Sequence, residues 1–207
     1  MADRSRRRNP SLPGLLTFAR SFFRHPVMLG SMIPSSSFLV SRLLRHVDWR
    51  SARVVVEYGP GVGTFTTQIL QRLRHEGVLV AIETNPDFVD FLRRAIRDPR
   101  LIIVQGSASE VRPILRGLRI KPADCVISGI PYATISHHQR RRILMETKAA
   151  LAPGGTLLVY QFSAAVRGEL ETLFGSVQQE LEPRNILPAR IFRAANVPPH
   201  WPTVEAA

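Results

Sequence analysis

The sequence predicts an α/β fold, a doubly wound, seven-stranded and mostly parallel sheet. Short apolar runs without strict alternation occur between residues 53 and 162, as expected for strands buried on both faces. Segments with helical spacing of apolar residues lie between these runs, which indicates helices on both faces of the sheet. Near the C-terminus, two strand-like runs separated by a Leu-Pro predict an antiparallel hairpin.

The first 48 residues precede this pattern. Residues 1–10 are polar and basic and are predicted to form a disordered tail. Residues 11–48 are predicted to form amphipathic or lid helices. In residues 11–24 the apolar side chains recur at helical spacing, at Leu12, Leu15, Leu16, Ala19, Phe22 and Phe23. A second helix, residues 38–46, is predicted after a run of three serines.

Residues 49–207 are predicted to form the main domain, without internal repeats or a domain-splitting linker. Its strands are predicted at residues 53–57, 78–83, 101–105, 123–128, 156–162, 177–186 and 189–196. Its helices are predicted at residues 64–74, 86–96, 137–151 and 164–174.

Composition limits the classes of function. The chain has 28 Lys and Arg against 16 Asp and Glu, a net charge of +12, which favours an anionic partner, either nucleic acid or an acidic membrane surface. The single cysteine, Cys125, lies in an apolar run and is predicted to be a core residue, so we expect a reducing compartment. No apolar run approaches the ~20 residues of a membrane span, and no signal-peptide pattern follows the basic N-terminus. We therefore expect a cytosolic protein that does not span the membrane.

A glycine-rich loop follows the first predicted strand. Gly59, Gly61 and Gly63 have the spacing GxGxG, whereas the dinucleotide fingerprint is GxGxxG. Glu57 at the end of the strand would repel a pyrophosphate but suits a ligand that carries an ammonium or sulfonium group. Glu83 ends the next strand, where an acid can bind a ribose diol. Together these residues indicate a nucleoside cofactor with a positively charged arm.

Over residues 53–162 this combination resembles the S-adenosylmethionine (SAM)-dependent methyltransferases. In that class an acid precedes GxGxG and a ribose-binding acid ends the second strand, so the resemblance implies SAM as the cofactor. It places the methionine portion near Glu57 and the glycines and the ribose at Glu83. The implied cofactor-binding residues of these two motifs are Glu57, Tyr58, Gly59, Gly61, Gly63, Glu83 and Thr84.

The resemblance implies further cofactor contacts beyond the first two strands. The third motif of the class carries Gly-Asp-Ala near the adenine, and here it is Gly106-Ser107-Ala108. Ser107 and Ala108 are therefore assigned to the adenine, although a hydroxyl binds more weakly than a carboxylate. Ser128, at the end of the fourth strand, is also assigned to the cofactor site.

The segment Ser128-Gly-Ile-Pro-Tyr132 falls where the resembled fold places the methyl acceptor. The rRNA adenine dimethyltransferases have Asn-Leu-Pro-Tyr there, and Gly129 replaces the Asn. A flipped adenine would lose its main orienting hydrogen bond, a deficit of roughly 1–3 kcal/mol. We expect Tyr132 to be the catalytic residue that positions an aliphatic amine, because an aromatic face favours a methylated ammonium.

Four segments are similar to the bacterial phospholipid N-methyltransferases, which convert phosphatidylethanolamine towards phosphatidylcholine. The segments are GSMIPSSSFLVSRLL, EYGPGVG, SGIPY and NVPP. The resemblance implies this activity, a phospholipid substrate and a place at the inner face of the cell membrane. By analogy with a Gln-Asn-Phe-Leu stretch of the rRNA enzymes, Ser36 is assigned to the cofactor, with a plain helix cap as the alternative.

Residues 11–24 are predicted to lie in the plane of an anionic membrane surface. Their apolar stripe could enter the interface, and six arginines against Asp3 give residues 1–24 a net charge of +5. A helix packed permanently on the domain and a lid that alternates between both positions are the alternatives.

Two other classes of function remain open at this stage. An RNA adenine methyltransferase would explain the charge, but Gly129 replaces the Asn and no sizeable RNA-binding domain follows the hairpin, so nucleic acid is not the expected partner. A non-enzymatic basic lipid- or RNA-binding module would leave Glu57 and Glu83 without a purpose. Residues 140–142, three arginines, are expected to be mainly a solvated helix face.

Overall fold

The computed structural model describes residues 35–197, and it contains a seven-stranded sheet with the order β3-β2-β1-β4-β5-β7-β6. Strands β1 to β5 are parallel, and β7 is antiparallel to both β5 and β6. The strands are β1 Val54–Tyr58, β2 Val78–Glu83, β3 Leu101–Gln105, β4 Ala123–Ser128, β5 Leu151–Gln161, β6 Val177–Glu182 and β7 Ala189–Ala195. The predicted fold class and the C-terminal hairpin are confirmed.

Six α-helices accompany the sheet within the described residues. They are α1 Ser37–Leu44, α2 Thr64–Arg72, α3 Pro86–Ala95, α4 Val111–Gly117, α5 His137–Ala150 and α6 Arg167–Phe174. Helix α4 was not predicted, because it has seven residues and Pro113 interrupts its pattern. The predicted tail (1–10) and the predicted helix over residues 11–24 lie outside the described residues.

Some predicted element bounds were wrong. Strand β5 begins at Leu151 rather than at residue 156, and its pairing with β4 shifts register between Ala123 and Cys125. Strand β6 ends at Glu182 rather than at residue 186, because residues 183–188 form the loop to β7 and a proline stands at each end of that loop.

The hydrophobic core lies on both faces of the sheet. Val54, Val56 and Tyr58 of β1 pack in one cluster, and Val55 between them packs in the other. Successive side chains of a strand point to opposite faces, so a strand that is buried on both sides must be apolar throughout. Cys125 is buried in the second cluster, as predicted for a core residue, and burial raises the pKa of its thiol to about 12.

Helix α1 is joined to the C-terminal hairpin. The Arg42 Nε lies 2.8 Å from a carboxylate oxygen of Glu182, whose side chain is fully buried. The Ser36 amide donates to the Asn185 side chain at 2.9 Å. None of the helices in residues 35–197 has the length and the apolar character of a membrane-spanning segment.

The strand order places a crevice at the carboxyl ends of the central strands. Strand β1 lies between β2, which leads to β3, and β4, which leads to β5. At such a switch point the loops that follow the strands diverge, and ligands of α/β sheets bind in the opening between them. The carboxyl ends of β1 and β4 are paired there through Tyr58 and Ser128.

Candidate active site

A cavity of about 650 Å³ lies at the carboxyl ends of the strands. Its walls are the loop after β1, the end of β2, residues 106–109 after β3, the segment after β4, the first turns of α5 and residues 160–163 at the end of β5. Ser35 and Asn185 close one side. A cavity of this size suits a small-molecule cofactor or substrate.

The glycine loop after β1 has the conformation that only glycine adopts without strain. Gly59, Gly61 and Gly63 all have positive φ, at 66°, 54° and 81°. Gly59 and Gly61 line the cavity, whereas Gly63 begins α2 away from it. A Cβ atom on Gly63 would lie 2.8 Å from a methyl carbon of Leu92, so this glycine allows α2 to pack closely against α3.

Glu83 connects the glycine loop to the end of β2. One of its carboxylate oxygens accepts the Gly61 amide at 3.2 Å, and the other accepts the Asn85 amide at 3.0 Å. The side chain lines the cavity beside Thr84 although the residue is only 7% exposed. A fixed carboxylate with free lone pairs can accept the two hydroxyls of a ribose, so the structure fits the predicted role.

Glu57 is buried beneath this loop and does not line the cavity. Its carboxylate accepts the Thr66 hydroxyl at 2.7 Å. Burial, aided by the negative charge of Glu83, raises the pKa of Glu57 to about 8. A buried carboxyl group with a neutral partner and a second carboxylate nearby suits a positively charged ligand, because a cation would stabilise its ionised form.

The residues that were assigned to the adenine lie at the cavity. Ser107 and Ala108 line it at the turn after β3. The Ser107 hydroxyl contacts Ser109 Oγ at 2.8 Å, and its amide donates to Glu110 at 3.3 Å, in a capping box. The hydroxyl that replaces the carboxylate of the third motif is therefore already engaged in ordering the turn.

Tyr132, the residue predicted to position the amine, is not among the residues that line the cavity. The side chain is fully buried in the first core cluster, and its hydroxyl contacts Ser128 Oγ at 3.0 Å. The chain turns into a short 3-10 helix at Tyr132–Thr134, so that Ile130 and Pro131 line the cavity instead. Burial raises the pKa of Tyr132 to about 12.

Three further residues with predicted cofactor contacts also lie outside the cavity lining. Ser128 is fully buried. Tyr58 is buried and its hydroxyl contacts Thr147 at 3.1 Å. Ser36 caps α1 by accepting the Leu39 amide at 3.2 Å, which fits the helix-cap alternative.

The acceptor side of the cavity contains two polar residues that the sequence analysis missed, Tyr160 and Gln161. Both line the cavity at the end of β5. A Cβ atom on Gly129 would lie 2.8 Å from Tyr160 Cζ and would overlap the hydroxyl oxygen, so the phenol occupies the space of a side chain at position 129. The amide of Gln161 is buried, and neither its oxygen nor its nitrogen has a hydrogen-bond partner among residues 35–197. The strand LLVYQF predicted only a core element, because both residues stand in an apolar run.

Helix α5 contributes basic and polar side chains to the opening. His138, Gln139 and Arg142 line the cavity from its first turns. The three arginines of residues 140–142 differ in their placement. Arg140 forms an ion pair with Glu169, whereas Arg142 is exposed at the cavity, where it can meet an anionic group of a substrate.

The sheet order, the positive-φ glycine loop and the carboxylate that ends β2 define a class I SAM-dependent methyltransferase. SAM supplies this enzyme with an activated methyl group on a sulfonium. A sequence profile described as ribosomal RNA adenine dimethylase matches residues 26–167, well over half of the chain. The chain therefore belongs to that family.

Comparison with individual proteins agrees with the class. An ornithine lipid N-methyltransferase of Singulisphaera acidiphila is 32% identical over 177 residues, which are 84% of this chain and 92% of that protein. The ribosomal RNA small subunit methyltransferase A of Alcanivorax borkumensis is 35% identical over 97 residues, but the match spans only 45% of this chain and 32% of that protein.

Solved structures share the fold. The O-methyltransferase TomG of Streptomyces achromogenes, in complex with SAM, superposes with a TM-score of 0.64 at 18% identity and covers 91% of both chains. The N-methyltransferase NodS of Bradyrhizobium japonicum superposes with a TM-score of 0.60 at 16% identity, over 77% of this chain and 95% of the other.

We expect Glu83→Gln to weaken SAM binding at least tenfold, because hydrogen bonds from hydroxyls to a charged carboxylate each contribute roughly 1.5–3 kcal/mol. Calorimetry measures the dissociation constant, and thermal unfolding checks that the glycine loop still folds without the charge. Asp87→Asn is the matched control, since Asp87 lies in the first turn of α3 and does not line the cavity. An unchanged SAM affinity in folded Glu83→Gln protein would remove Glu83 from the cofactor site.

We expect SAM binding to release a proton from Glu57. In the free protein the carboxyl group, with a pKa raised from 4.5 to about 8, is protonated at about pH 7, and a bound cation favours its ionised form. The release should vanish at about pH 9, where the group is already ionised, and in Glu57→Gln at either pH. Calorimetry in buffers of different ionisation enthalpy counts the protons. Equal release by wild type and Glu57→Gln would contradict the assignment.

Proposed function

We propose that the protein uses SAM to methylate the headgroup amine of a membrane lipid, with phosphatidylethanolamine converted towards phosphatidylcholine. The observation that carries this proposal is the acceptor side of the cavity, where Gly129 offers no side-chain amide and the Tyr160 phenol fills the space. The lipid class is supported by the similarity to an ornithine lipid N-methyltransferase over most of both chains. Such a site provides hydrogen bonds for an amine without the amide that orients an adenine.

The reaction requires a neutral amine. The nitrogen lone pair forms the new N–C bond while the C–S bond breaks, and the electron pair of that bond stays on sulfur. A headgroup ammonium must therefore lose one proton to water before each transfer, and the methylated product is again an ammonium. Alignment of the amine and exclusion of water are the main contributions that the cavity can make.

Four exposed apolar side chains belong to segments that contribute lining residues to the cavity, and they support a lipid substrate. We call Phe38, Phe162, Ile186 and Leu187 the apolar rim; their exposed fractions are 48%, 38%, 69% and 48%. Phe162 itself lines the cavity, Ile186 follows the lining residue Asn185, and Phe38 lies beneath the Arg184 guanidinium at 4.2 Å. Large apolar side chains grouped at an opening are typical of contact with an apolar phase.

Ornithine lipid is a second candidate substrate, favoured by the named relative. Both lipids carry an amine near an anionic group, a phosphate in phosphatidylethanolamine and a carboxylate in ornithine lipid. Arg142 at the cavity can pair with either anion. RNA is the third candidate, favoured by the family to which the chain belongs and by its net charge of +12.

Residues 11–24 are our proposed membrane anchor, and the inner face of the cell membrane is the proposed location. The segment lies outside the described residues, and its support is the apolar stripe together with the net charge of +5 over residues 1–24. Each basic residue near an anionic surface contributes about 1 kcal/mol of attraction. The apolar rim would then face the same bilayer.

Labelled SAM with separate substrates tests the activity. We expect methyl transfer to vesicles that contain phosphatidylethanolamine and none to vesicles of phosphatidylcholine alone or to ribosomal RNA. Vesicles with ornithine lipid are the parallel arm, and a higher kcat/KM there would make ornithine lipid the substrate. Methylation of adenine in RNA without transfer to either lipid would contradict the proposal.

Vesicle sedimentation tests the anchor and the rim. Removal of residues 1–24 should abolish binding to anionic vesicles while SAM affinity survives, and added salt should weaken wild-type binding because the attraction is screened. Ile186→Glu should weaken vesicle binding several-fold, whereas Met145→Glu, the same change at a side chain that is 49% exposed on α5, should not. If the truncated protein binds as wild type does, residues 1–24 are not the anchor.

A further inference from the structure

The end of β5 carries two polar side chains whose chemistry the fold does not use. Tyr160 and Gln161 both line the cavity, and the buried Gln161 amide has no partner among the described residues. Neighbouring residues of a strand point to opposite faces of the sheet. Tyr160 and Gln161 therefore border the cavity from opposite faces at the end of β5. A ligand that crosses this end of the sheet meets both.

Tyr160 is held rigidly. Its ring stacks on Phe65 with the centroids 4.5 Å apart and the planes at 25°, and its hydroxyl interacts with the Ser35 side chain. Burial raises the pKa of the phenol, so the hydroxyl is neutral and keeps a lone pair that can accept a hydrogen bond. Tyr160 is thus suited to hold an amine in place and not to remove its proton.

Gly129 makes this position of the phenol possible. Strands β4 and β5 pair at Ser128 and Val159, so the next residues, Gly129 and Tyr160, are neighbours across the sheet. Any side chain at position 129 would overlap the Tyr160 hydroxyl. A polar group of the acceptor site can therefore come from residue 129 or from residue 160, but not from both.

Gln161 is 8% exposed, and both of its polar atoms are buried without a partner among residues 35–197. A buried amide without hydrogen bonds is unfavourable for the fold, so its presence at a cavity indicates a ligand that satisfies it. Its nitrogen can donate two hydrogen bonds, which suits an anionic oxygen. Arg142 lines the same cavity from α5 and has the complementary charge for that oxygen.

We propose that Tyr160 and Gln161 form the headgroup site, with the Tyr160 hydroxyl accepting an N–H of the methyl-acceptor amine and the Gln161 amide donating to the anionic group of the same lipid. This inference rests on the proposed lipid N-methylation and names the residues that recognise the acceptor. The lone pair of the neutral amine stays free for the methyl carbon, because the contact to Tyr160 uses a hydrogen of the nitrogen. The proton of the headgroup ammonium leaves to water before transfer, and the electron pair of the broken C–S bond stays on sulfur.

The number of amine hydrogens gives the Tyr160 contact a recognisable signature. Neutral phosphatidylethanolamine has two N–H bonds, its monomethyl derivative has one and its dimethyl derivative has none. Loss of the Tyr160 hydroxyl in Tyr160→Phe should lower kcat for the first transfer about tenfold and leave transfer to the dimethyl lipid within about twofold of wild type. A structural role would slow all three transfers alike.

The Gln161 contact predicts a different change. Gln161→Leu should raise KM for phosphatidylethanolamine about tenfold with kcat and SAM affinity within about twofold of wild type, and it should not lower the melting temperature, because no hydrogen bond of the fold is lost. Gln179→Leu on the exposed face of β6 is the matched control. A weaker SAM affinity in Gln161→Leu would instead place the amide in the cofactor site and overturn its assignment.

Combined variants test whether a side chain at position 129 and the Tyr160 phenol compete for the same space. Gly129→Ala should lower kcat/KM more than tenfold in wild type but less than threefold in a Tyr160→Leu background, where the overlapping hydroxyl and ring are absent. Gly117→Ala is the control, since a Cβ atom there meets nothing within 4 Å.

If wild type methylates the lipid and the Tyr160 and Gln161 variants match it, only this inference fails. If wild type methylates RNA and no lipid amine, the proposed function fails with it.

Discussion

The pairing of β1 with β4 at the carboxyl edge of the sheet determines the rest of the site. The Gly129 amide donates to the Tyr58 carbonyl at 3.1 Å, which brings the loop after β1 alongside the segment after β4. A Cβ atom on Gly59 would lie 4.0 Å from the Gly129 carbonyl carbon. Cofactor loop and acceptor segment therefore meet as two backbones, with no side chain between them. Because the two segments approach so closely, a methyl group has only a short distance to travel from a cofactor held by the first to an acceptor held by the second.

The electrostatics of the site follow from the same edge. Two carboxyl groups lie near the carboxyl ends of adjacent strands, Glu57 one residue before the end of β1 and Glu83 at the end of β2, and burial keeps the first protonated near neutral pH. Several of the arginines that give the chain its positive charge are engaged elsewhere in the fold. Arg42 pairs with Glu182, and Arg100 forms hydrogen bonds with Asp98 and with carbonyl oxygens of α2 and the residue after it. The carboxyl groups near the glycine loop thus suit a cationic cofactor although the protein as a whole is basic.

The sequence allowed the fold to be predicted more fully than the site. Strands β2, β3 and β4 have the predicted bounds because each is a short apolar run between polar residues. Gly59, Gly61 and Glu83 could be predicted for the site, and they line the cavity, because a backbone conformation or a charge at a strand end is visible in the residue type. The direction of Tyr132 could not be predicted, since it depends on the short 3-10 turn that buries the ring. Tyr160 and Gln161 were missed because an apolar strand context does not reveal which of its residues end at a cavity.

The shared space of Gly129 and Tyr160 has a consequence for how acceptor preference can change over time. A chain that gained a larger residue at 129 first would have to displace a ring that is stacked on Phe65. A chain that first lost the phenol would keep an open site and could then admit a larger residue. The order of substitutions is therefore constrained. The accessible route between a site with a side-chain amide at residue 129 and a site with a phenol at residue 160 passes through an intermediate that has neither group.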